Sequence, residues 1–134
     1  MQRLEHIGIA VKDLAISIPL FEKLLNKQCY KQETVDSESV LTAFFQAGET
    51  KIELLESLTP DGVIARFVEK KGEGIHHLAF EVLDLEAEMK RLVEAGFVLL
   101  SDTPKLGADN KMVCFLHPKS TNSVLIELCM DRGS

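Results

Sequence analysis

Two histidines and two glutamates recur in this chain at nearly the same spacing, and together they form a typical set of ligands for a divalent ion. His6 and Glu53 in the first half correspond to His77 and Glu127 in the second, and each glutamate lies between an isoleucine and a leucine. Two imidazoles and two carboxylates suit an ion of intermediate hardness, such as Co²⁺, Mn²⁺, Ni²⁺ or Zn²⁺. The pattern predicts an internal duplication whose two copies share one metal site.

Taken singly, each of these residues has a less specific explanation. A lone histidine on a strand is more often hydrogen-bonded than metal-bound, and a strand glutamate is more often solvated. His76 has the opposite strand parity to His77 and shares its face with apolar residues, so we expect it to be packed rather than a ligand. Glu56 and Glu81 are expected to be solvated, with Glu81 also a candidate to line the hollow near the histidines.

Strand patterns explain how the four ligands would be positioned. Residues 4–11 alternate in polarity, and His6 shares its face with Gly8 and Ala10, whose small side chains leave a hollow. Glu53 and Glu127 point away from their apolar neighbours, because side chains alternate along a strand. If the two copies pair side by side, all four ligands would face one concave sheet.

The predicted elements follow the order βαβββ twice, which indicates an α+β fold built from paired βαβββ modules in one domain, residues 1–134. The first module covers about 4–56, a connecting helix about 60–71, and the second module about 75–129. Predicted strands lie near 4–11, 28–35, 39–47, 51–56, 75–82, 97–101, 112–117 and 123–129.

Three helices are predicted from apolar spacing and capping residues. Asp13 or Ser17 could cap the first, and Ser17 is preferred because it places Pro19 in the first turn. The second begins at Thr59-Pro60 and stops at Gly72; the third is capped by Asp84 and ends at Gly96. The residues expected to be buried are Leu20, Phe21, Leu24 and Leu25; then Val63, Ile64, Phe67 and Val68; then Leu85, Met89, Leu92 and Val93.

Composition limits the functions that remain. The 134 residues are 46% hydrophobic with a formal net charge of −6, which supports a packed core and argues against a nucleic-acid partner. No apolar run approaches the ~20 residues of a membrane span. The chain enters a strand pattern at once, so we expect no signal peptide. Its three cysteines lack C-x-x-C spacing, which is typical of reduced thiols in a cytoplasmic protein.

Several segments resemble the vicinal oxygen chelate superfamily and, within it, the methylmalonyl-CoA epimerases. The resemblance runs from His6 to Cys129 and is most specific at the double histidine of 72–80 and at the His-Pro-Lys-Ser segment of 115–121. It implies paired modules around a metal held by His6, Glu53, His77 and Glu127, and a homodimer. Asp109-Asn110 and Asn122-Ser123 replace glycine-containing pairs of many relatives, which is expected to alter the loops near the substrate.

The reaction implied by this resemblance removes a proton between a thioester and a carboxylate. A chelating metal would stabilise the enolate charge, and Glu127 and Glu53 are candidates for proton transfer as well as ligation. The resemblance also implies a further glutamate on the strand near 39–47, whose core holds no carboxylate here, so Glu38 at its start is a third candidate.

The acyl-CoA substrate is a polyanion and needs cations. Lys105, Lys111 and Lys119 are the candidates to bind its phosphates. The alternatives are a glyoxalase I-like isomerase, which uses two histidines and two glutamates, and a non-enzymatic small-molecule binding protein of the same fold.

Overall fold

The chain divides into two compact units, and each unit contains one His–Glu copy of the repeat. The structure is a computed structural model that describes residues 1–133. The N-terminal unit is His6–His76, and the C-terminal unit comprises Met1–Glu5 and the chain from His77 onward.

The N-terminal unit contains four strands and two helices in the predicted βαβββ order. The elements are β1 (Arg3–Ala10), which enters this unit at His6, α1 (Leu14–Leu25), β2 (Lys31–Val35), β3 (Val40–Ala47), β4 (Thr50–Ser57) and α2 (Val63–Lys71). The strands β2, β3, β4 and β1 are neighbours in that order, with β1 parallel to β4 and the other pairs antiparallel. Helix α1 packs on this sheet through Leu14, against Ala43, Phe45 and Leu54.

The C-terminal unit repeats this arrangement. The elements are β5 (Gly74–Glu81), which enters this unit at His77, α3 (Leu85–Glu94), β6 (Lys105–Leu106), β7 (Lys111–Leu116) and β8 (Ile126–Asp131). Strand β5 is parallel to β8, which pairs antiparallel with β7, and β7 pairs with the short β6. Helix α3 contributes Leu85, Met89 and Leu92 to a core completed by β7 and β8. The prediction of an α+β fold with paired βαβββ modules is confirmed.

The prediction of a strand at 97–101 is wrong. Only Leu99 makes a bridge there, opposite Leu116, and the pairing strand comes later at β6. The next residues favour a turn, since the Ser101 hydroxyl donates to the Thr103 carbonyl and Pro104 has no N–H for a ladder.

Helix α1 begins earlier than predicted. The Asp13 carboxylate accepts from the Ala15 N–H at 2.9 Å, so the preference for Ser17 as the cap is wrong, and Pro19 lies inside the helix. Glu56 accepts from the Leu14 N–H and Glu73 from the Lys12 N–H, each at 2.7 Å. Three carboxylates thus bind N–H groups at this helix end and outweigh the disfavoured proline.

The buried face of α1 also differs from the prediction. Leu20 and Leu24 are 55% and 69% exposed, whereas Phe21 and Leu25 pack on the core. Leu20 and Leu24 belong with Ile16 to a second apolar stripe spaced by four residues, so the spacing alone could not select the buried side.

The other two helices are largely as predicted. Helix α2 is capped by Gly62 rather than begun by Pro60, because Thr59–Gly62 forms a turn, and Ile64 is buried while Val63 is exposed. The Asp84 cap of α3 is confirmed, although Val93 is exposed. Within residues 1–133, no helix is long and apolar enough to cross a membrane.

Candidate active site

The first histidine–glutamate pair forms inside the N-terminal unit. In the parallel register of β1 and β4, Glu53 lies beside Gly8, two residues beyond His6. The two side chains meet with 3.2 Å between His6 Nδ1 and Glu53 Oε2, and both are buried. Gly8 and Ala10 are buried without bulky side chains, which leaves room on this face of the sheet. A carboxylate and an imidazole that are both removed from water need each other, or an ion, to offset the loss of hydration.

The second pair has the same construction in the C-terminal unit. In the parallel register of β5 and β8, Glu127 lies beside Ala79, again two residues beyond the histidine, His77. His77 Nε2 and Glu127 Oε1 are 3.3 Å apart, and both residues are buried. The Phe115 ring contacts the His77 imidazole edge to face at 5.8 Å between centroids and restrains its orientation. The sequence repeat thus places each histidine beside the glutamate of its own module.

The three lysines predicted to bind CoA differ in their surroundings. Lys105 is exposed with its ammonium 5.7 Å from the centre of the Phe115 ring, and Lys119 is exposed on a short 3₁₀ turn after β7. Lys111 is only 7% exposed, and its ammonium contacts the carboxylates of Asp131 and Glu5. A phosphate contact by Lys111 would require it to leave these partners.

Sequence reasoning missed the buried carboxylate of Glu5. Glu5 is 1% exposed, and its Oε2 lies 3.9 Å from Lys111 Nζ and 4.0 Å from Arg3 Nη2. The available signal was its parity, because Glu5 lies on the strand face that carries Ile7 and Ile9, between them and Arg3. Its pairing with Lys111 makes both residues structural parts of the C-terminal unit.

Two other glutamates were wrongly expected to be solvated. Glu56 is half-buried and binds the start of α1, as described above. Glu81 is half-buried and accepts from the Arg3 guanidinium at 3.2 Å. Glu38, the third candidate for proton transfer, is half-buried in the 3₁₀ turn Asp36–Glu38 that leads into β3.

The two glycine replacements keep the backbone conformation that glycine favours. Asp109, Asn110, Asn122 and Ser123 all have φ between 55° and 69°. Asn and Asp tolerate this left-handed region better than other non-glycine residues, which explains three of the four positions. The loops are thus built with non-glycine residues in the left-handed conformation.

His76 is packed, as predicted, rather than placed with the candidate ligands. Its ring meets the Phe67 ring edge to face at 4.9 Å between centroids. Burial lowers the pKa of His76 from 6.5 to about 4, and the positive charge of Lys71 adds to this lowering. His76 is therefore neutral at pH 7.

This lowered pKa predicts a loss of stability in acid. Between pH 6.5 and about 4 the unfolded chain binds a proton at His76 that the folded protein does not, so the free energy of unfolding should fall as the pH decreases through this window. His76→Gln should flatten the dependence, measured by urea denaturation at each pH. An NMR titration placing the His76 midpoint near 6.5 would contradict the prediction.

Comparison with known proteins defines the class. Residues 5–115 match the Glyoxalase/Bleomycin resistance protein/Dioxygenase superfamily, so the chain is a member of this class. It is 42% identical over 128 residues to the ethylmalonyl-CoA/methylmalonyl-CoA epimerase of Cereibacter sphaeroides, covering 94% of this chain and 96% of that protein. It is 38% identical over 127 residues to the mitochondrial methylmalonyl-CoA epimerase of Homo sapiens, covering 94% and 72%.

A solved structure agrees with these relatives. A variant of Streptomyces coelicolor methylmalonyl-CoA epimerase in complex with 2-nitronate-propionyl-CoA superposes with a TM-score of 0.94 at 29% identity, covering 99% of this chain and 96% of that one. The chain therefore belongs to the methylmalonyl-CoA epimerase family of enzymes.

Proposed function

We propose that this enzyme interconverts the two C2 epimers of methylmalonyl-CoA by removing and returning the C2 proton. Membership of the epimerase family supports the substrate. The observation that carries the proposal is the pair of buried His–Glu contacts at equivalent register positions, since each supplies a carboxylate in a site shielded from water. The resemblance supports a homodimer, and the three cysteines without C-x-x-C spacing support a cytoplasmic location.

We further propose that His6, Glu53, His77 and Glu127 together hold one divalent ion, with Co²⁺, Mn²⁺, Ni²⁺ and Zn²⁺ as the candidates. The donor set fits, since imidazole nitrogen and carboxylate oxygen both bind such ions. The contacts of 3.2 and 3.3 Å also fit, because two ligands each about 2.1 Å from one ion are roughly 3.2 Å apart when they subtend about 100°. When bound, the ion supplies Lewis-acid stabilisation of the charge that develops on the substrate.

Proton transfer is assigned to carboxylates of the same set. Inversion at C2 requires one group to accept the proton and another to deliver one to the opposite face of the carbon. Glu127 and Glu53 are proposed for these roles, each with one oxygen for the metal and one for the proton. Glu38 is the alternative for the second face, because the core of β3 has no carboxylate.

The nucleotide end of the substrate is assigned to cations of the C-terminal unit. Lys105 and Lys119 are exposed and are proposed to bind CoA phosphates. Lys111 remains a candidate only if substrate binding releases it from Glu5 and Asp131.

The reaction is tested by incubating one epimer of methylmalonyl-CoA with the enzyme in D₂O, without added metal and with Co²⁺, Mn²⁺, Ni²⁺ or Zn²⁺ added separately. The epimer ratio and the deuterium at C2 are followed together. Equilibration of the epimers with deuterium at C2 is expected, because the abstracted proton exchanges with solvent before return. No change in either quantity with any of the four metals would refute the proposed function.

Metal binding gives a separate prediction. The wild type should contain about one divalent ion per chain after dialysis against the metal, and His77→Ala should contain much less, because it removes one of two imidazole ligands. Elemental analysis measures both. His76→Ala is the matched control, and it should retain the wild-type content because His76 packs against Phe67. Equal metal in the wild type and His77→Ala would remove His77 from the site.

A further inference from the structure

A buried threonine on β3 has a hydroxyl that the fold does not use. Thr42 is 0% exposed, and within residues 1–133 its Oγ1 has no hydrogen-bond partner. A buried hydroxyl without a hydrogen-bond partner is unfavourable because it has lost its bonds to water, and valine has the same shape without this cost. The hydroxyl of Thr42 therefore lowers the stability of the folded protein.

Thr42 faces the same side of the sheet as the first ligand pair. In the antiparallel register of β3 and β4, Phe44 lies opposite Glu53, and Thr42 lies opposite Leu55. Opposed residues project to one face, and so do residues two apart on a strand. Thr42 and Glu53 are therefore diagonal neighbours, whose Cα atoms are typically about 7–8 Å apart.

The opposite face of β3 belongs to the core. Ala43 and Phe45 pack with Leu14 of α1, and both are fully buried there. Thr42 alternates with these residues and so points away from the helix. Its hydroxyl lies on the face that carries the catalytic carboxylate of the proposed function, and not in the helix-packed core.

The negative charge of the substrate indicates what a hydrogen-bond donor on this face of the sheet would bind. The substrate of the proposed function carries a free carboxylate close to the reacting carbon, and Glu53 repels it. A carboxylate that leaves water must be compensated by donors or cations. The neighbouring strand β2 carries a cation, Lys31. Its Nζ lies 3.5 Å from Glu33 Oε1 and 4.6 Å from the centre of the Phe44 ring. Thr42 is a buried, neutral donor whose hydroxyl hydrogen is not engaged by the fold.

We propose that the Thr42 hydroxyl donates a hydrogen bond to the free carboxylate of the malonyl group, and so makes Thr42 a specificity-determining residue. The inference rests on the proposed function and extends it to a residue outside the His–Glu set. A hydrogen bond to a charged group contributes enough to change affinity by about 10- to 100-fold. Acyl-CoA molecules without the carboxylate gain nothing from it.

The test compares two ligands in three variants. Calorimetry gives the Kd of methylmalonyl-CoA and of propionyl-CoA, which lacks the carboxylate. Thr42→Val should weaken methylmalonyl-CoA binding by about 10- to 100-fold and change propionyl-CoA binding by less than about twofold. Thr42→Ser keeps the hydroxyl and should stay within about threefold of wild type for both ligands. Thr34→Val, an exposed threonine of β2, is the matched control and should match the wild type.

Thermal unfolding separates binding from structure. Thr42→Val should unfold at the wild-type temperature or above it, because no internal hydrogen bond is lost. Equal weakening of both ligands, or of neither, would overturn the proposal, and Thr42→Ala repeats the comparison if the valine variant does not fold. If the wild type epimerises its substrate and Thr42→Val binds methylmalonyl-CoA as tightly as the wild type does, only the role of Thr42 is refuted. If the wild type binds neither ligand, the proposed function is refuted as well.

Discussion

Glu127→Gln should lose epimerase activity by about 10²–10⁴-fold while keeping much of its metal. The amide oxygen of glutamine can still act as a ligand, but the neutral amide cannot accept the C2 proton. Activity is measured from the rate of epimer interconversion, and metal content by elemental analysis of the same sample. The two readouts separate ligation from proton transfer, which a histidine variant cannot do.

Two further measurements make this prediction sharper. If two groups act on opposite faces, Glu127→Gln should still exchange the C2 hydrogen of one epimer with D₂O while net inversion stops. The same measurement on Glu53→Gln and Glu38→Gln then assigns the second face. Glu94→Gln, at an exposed position of α3, should behave as wild type. Near-wild-type turnover in metal-loaded Glu127→Gln would restrict Glu127 to ligation.

Lys111→Met should lower the free energy of unfolding by about 3 kcal/mol, at the low end of the 3–5 kcal/mol seen when one partner of a buried ion pair is removed. The Glu5 carboxylate would remain buried after losing its contact with the ammonium, which lies 3.9 Å away. The guanidinium of Arg3, 4.0 Å from the same carboxylate, should compensate in part. Urea denaturation at pH 7 measures the change.

Matched variants identify the source of that loss. Asp131→Asn removes the exposed partner of Lys111 and should change the stability by less than about 1 kcal/mol, as for most surface ion pairs. The double variant Glu5→Gln/Lys111→Met should recover much of the loss, because it no longer buries an isolated charge. A single Lys111→Met variant as stable as the wild type would show that the Glu5 contact contributes little.

The module order could be predicted from the sequence because it depends on local pattern. The strand alternation around His6 and His77 and the Asp84 cap of α3 depend only on residues that are close in sequence. Because the pattern repeats, the elements predicted in one half can be compared with those in the other. The short contacts of His6 with Glu53 and of His77 with Glu127 follow from the parallel registers of β1 with β4 and of β5 with β8, which the sequence does not specify.

The errors arise where a distant residue decides the local outcome. The start of α1 depends on two glutamates that lie far along the chain: Glu56 accepts from the N–H of Leu14, the first helical residue, and Glu73 from the N–H of Lys12 just before the helix. Lys111 looked like a solvent-exposed cation until the structure placed it beside Glu5. Thr42 has no distinguishing feature in the sequence, since only the register with β4 and the lack of an internal partner set it apart.

The division of the chain has a consequence for the order of events on the ribosome. The N-terminal unit is the continuous segment His6–His76 and contains its own His–Glu pair, whereas the C-terminal unit needs Met1–Glu5 together with the last strands. Domains generally fold as units during synthesis, which adds about 5–20 residues per second. Residues 1–5 are made before the rest of their unit and must therefore wait several seconds for β7 and β8, and Glu5 cannot meet its partner Lys111 until that residue has left the exit tunnel.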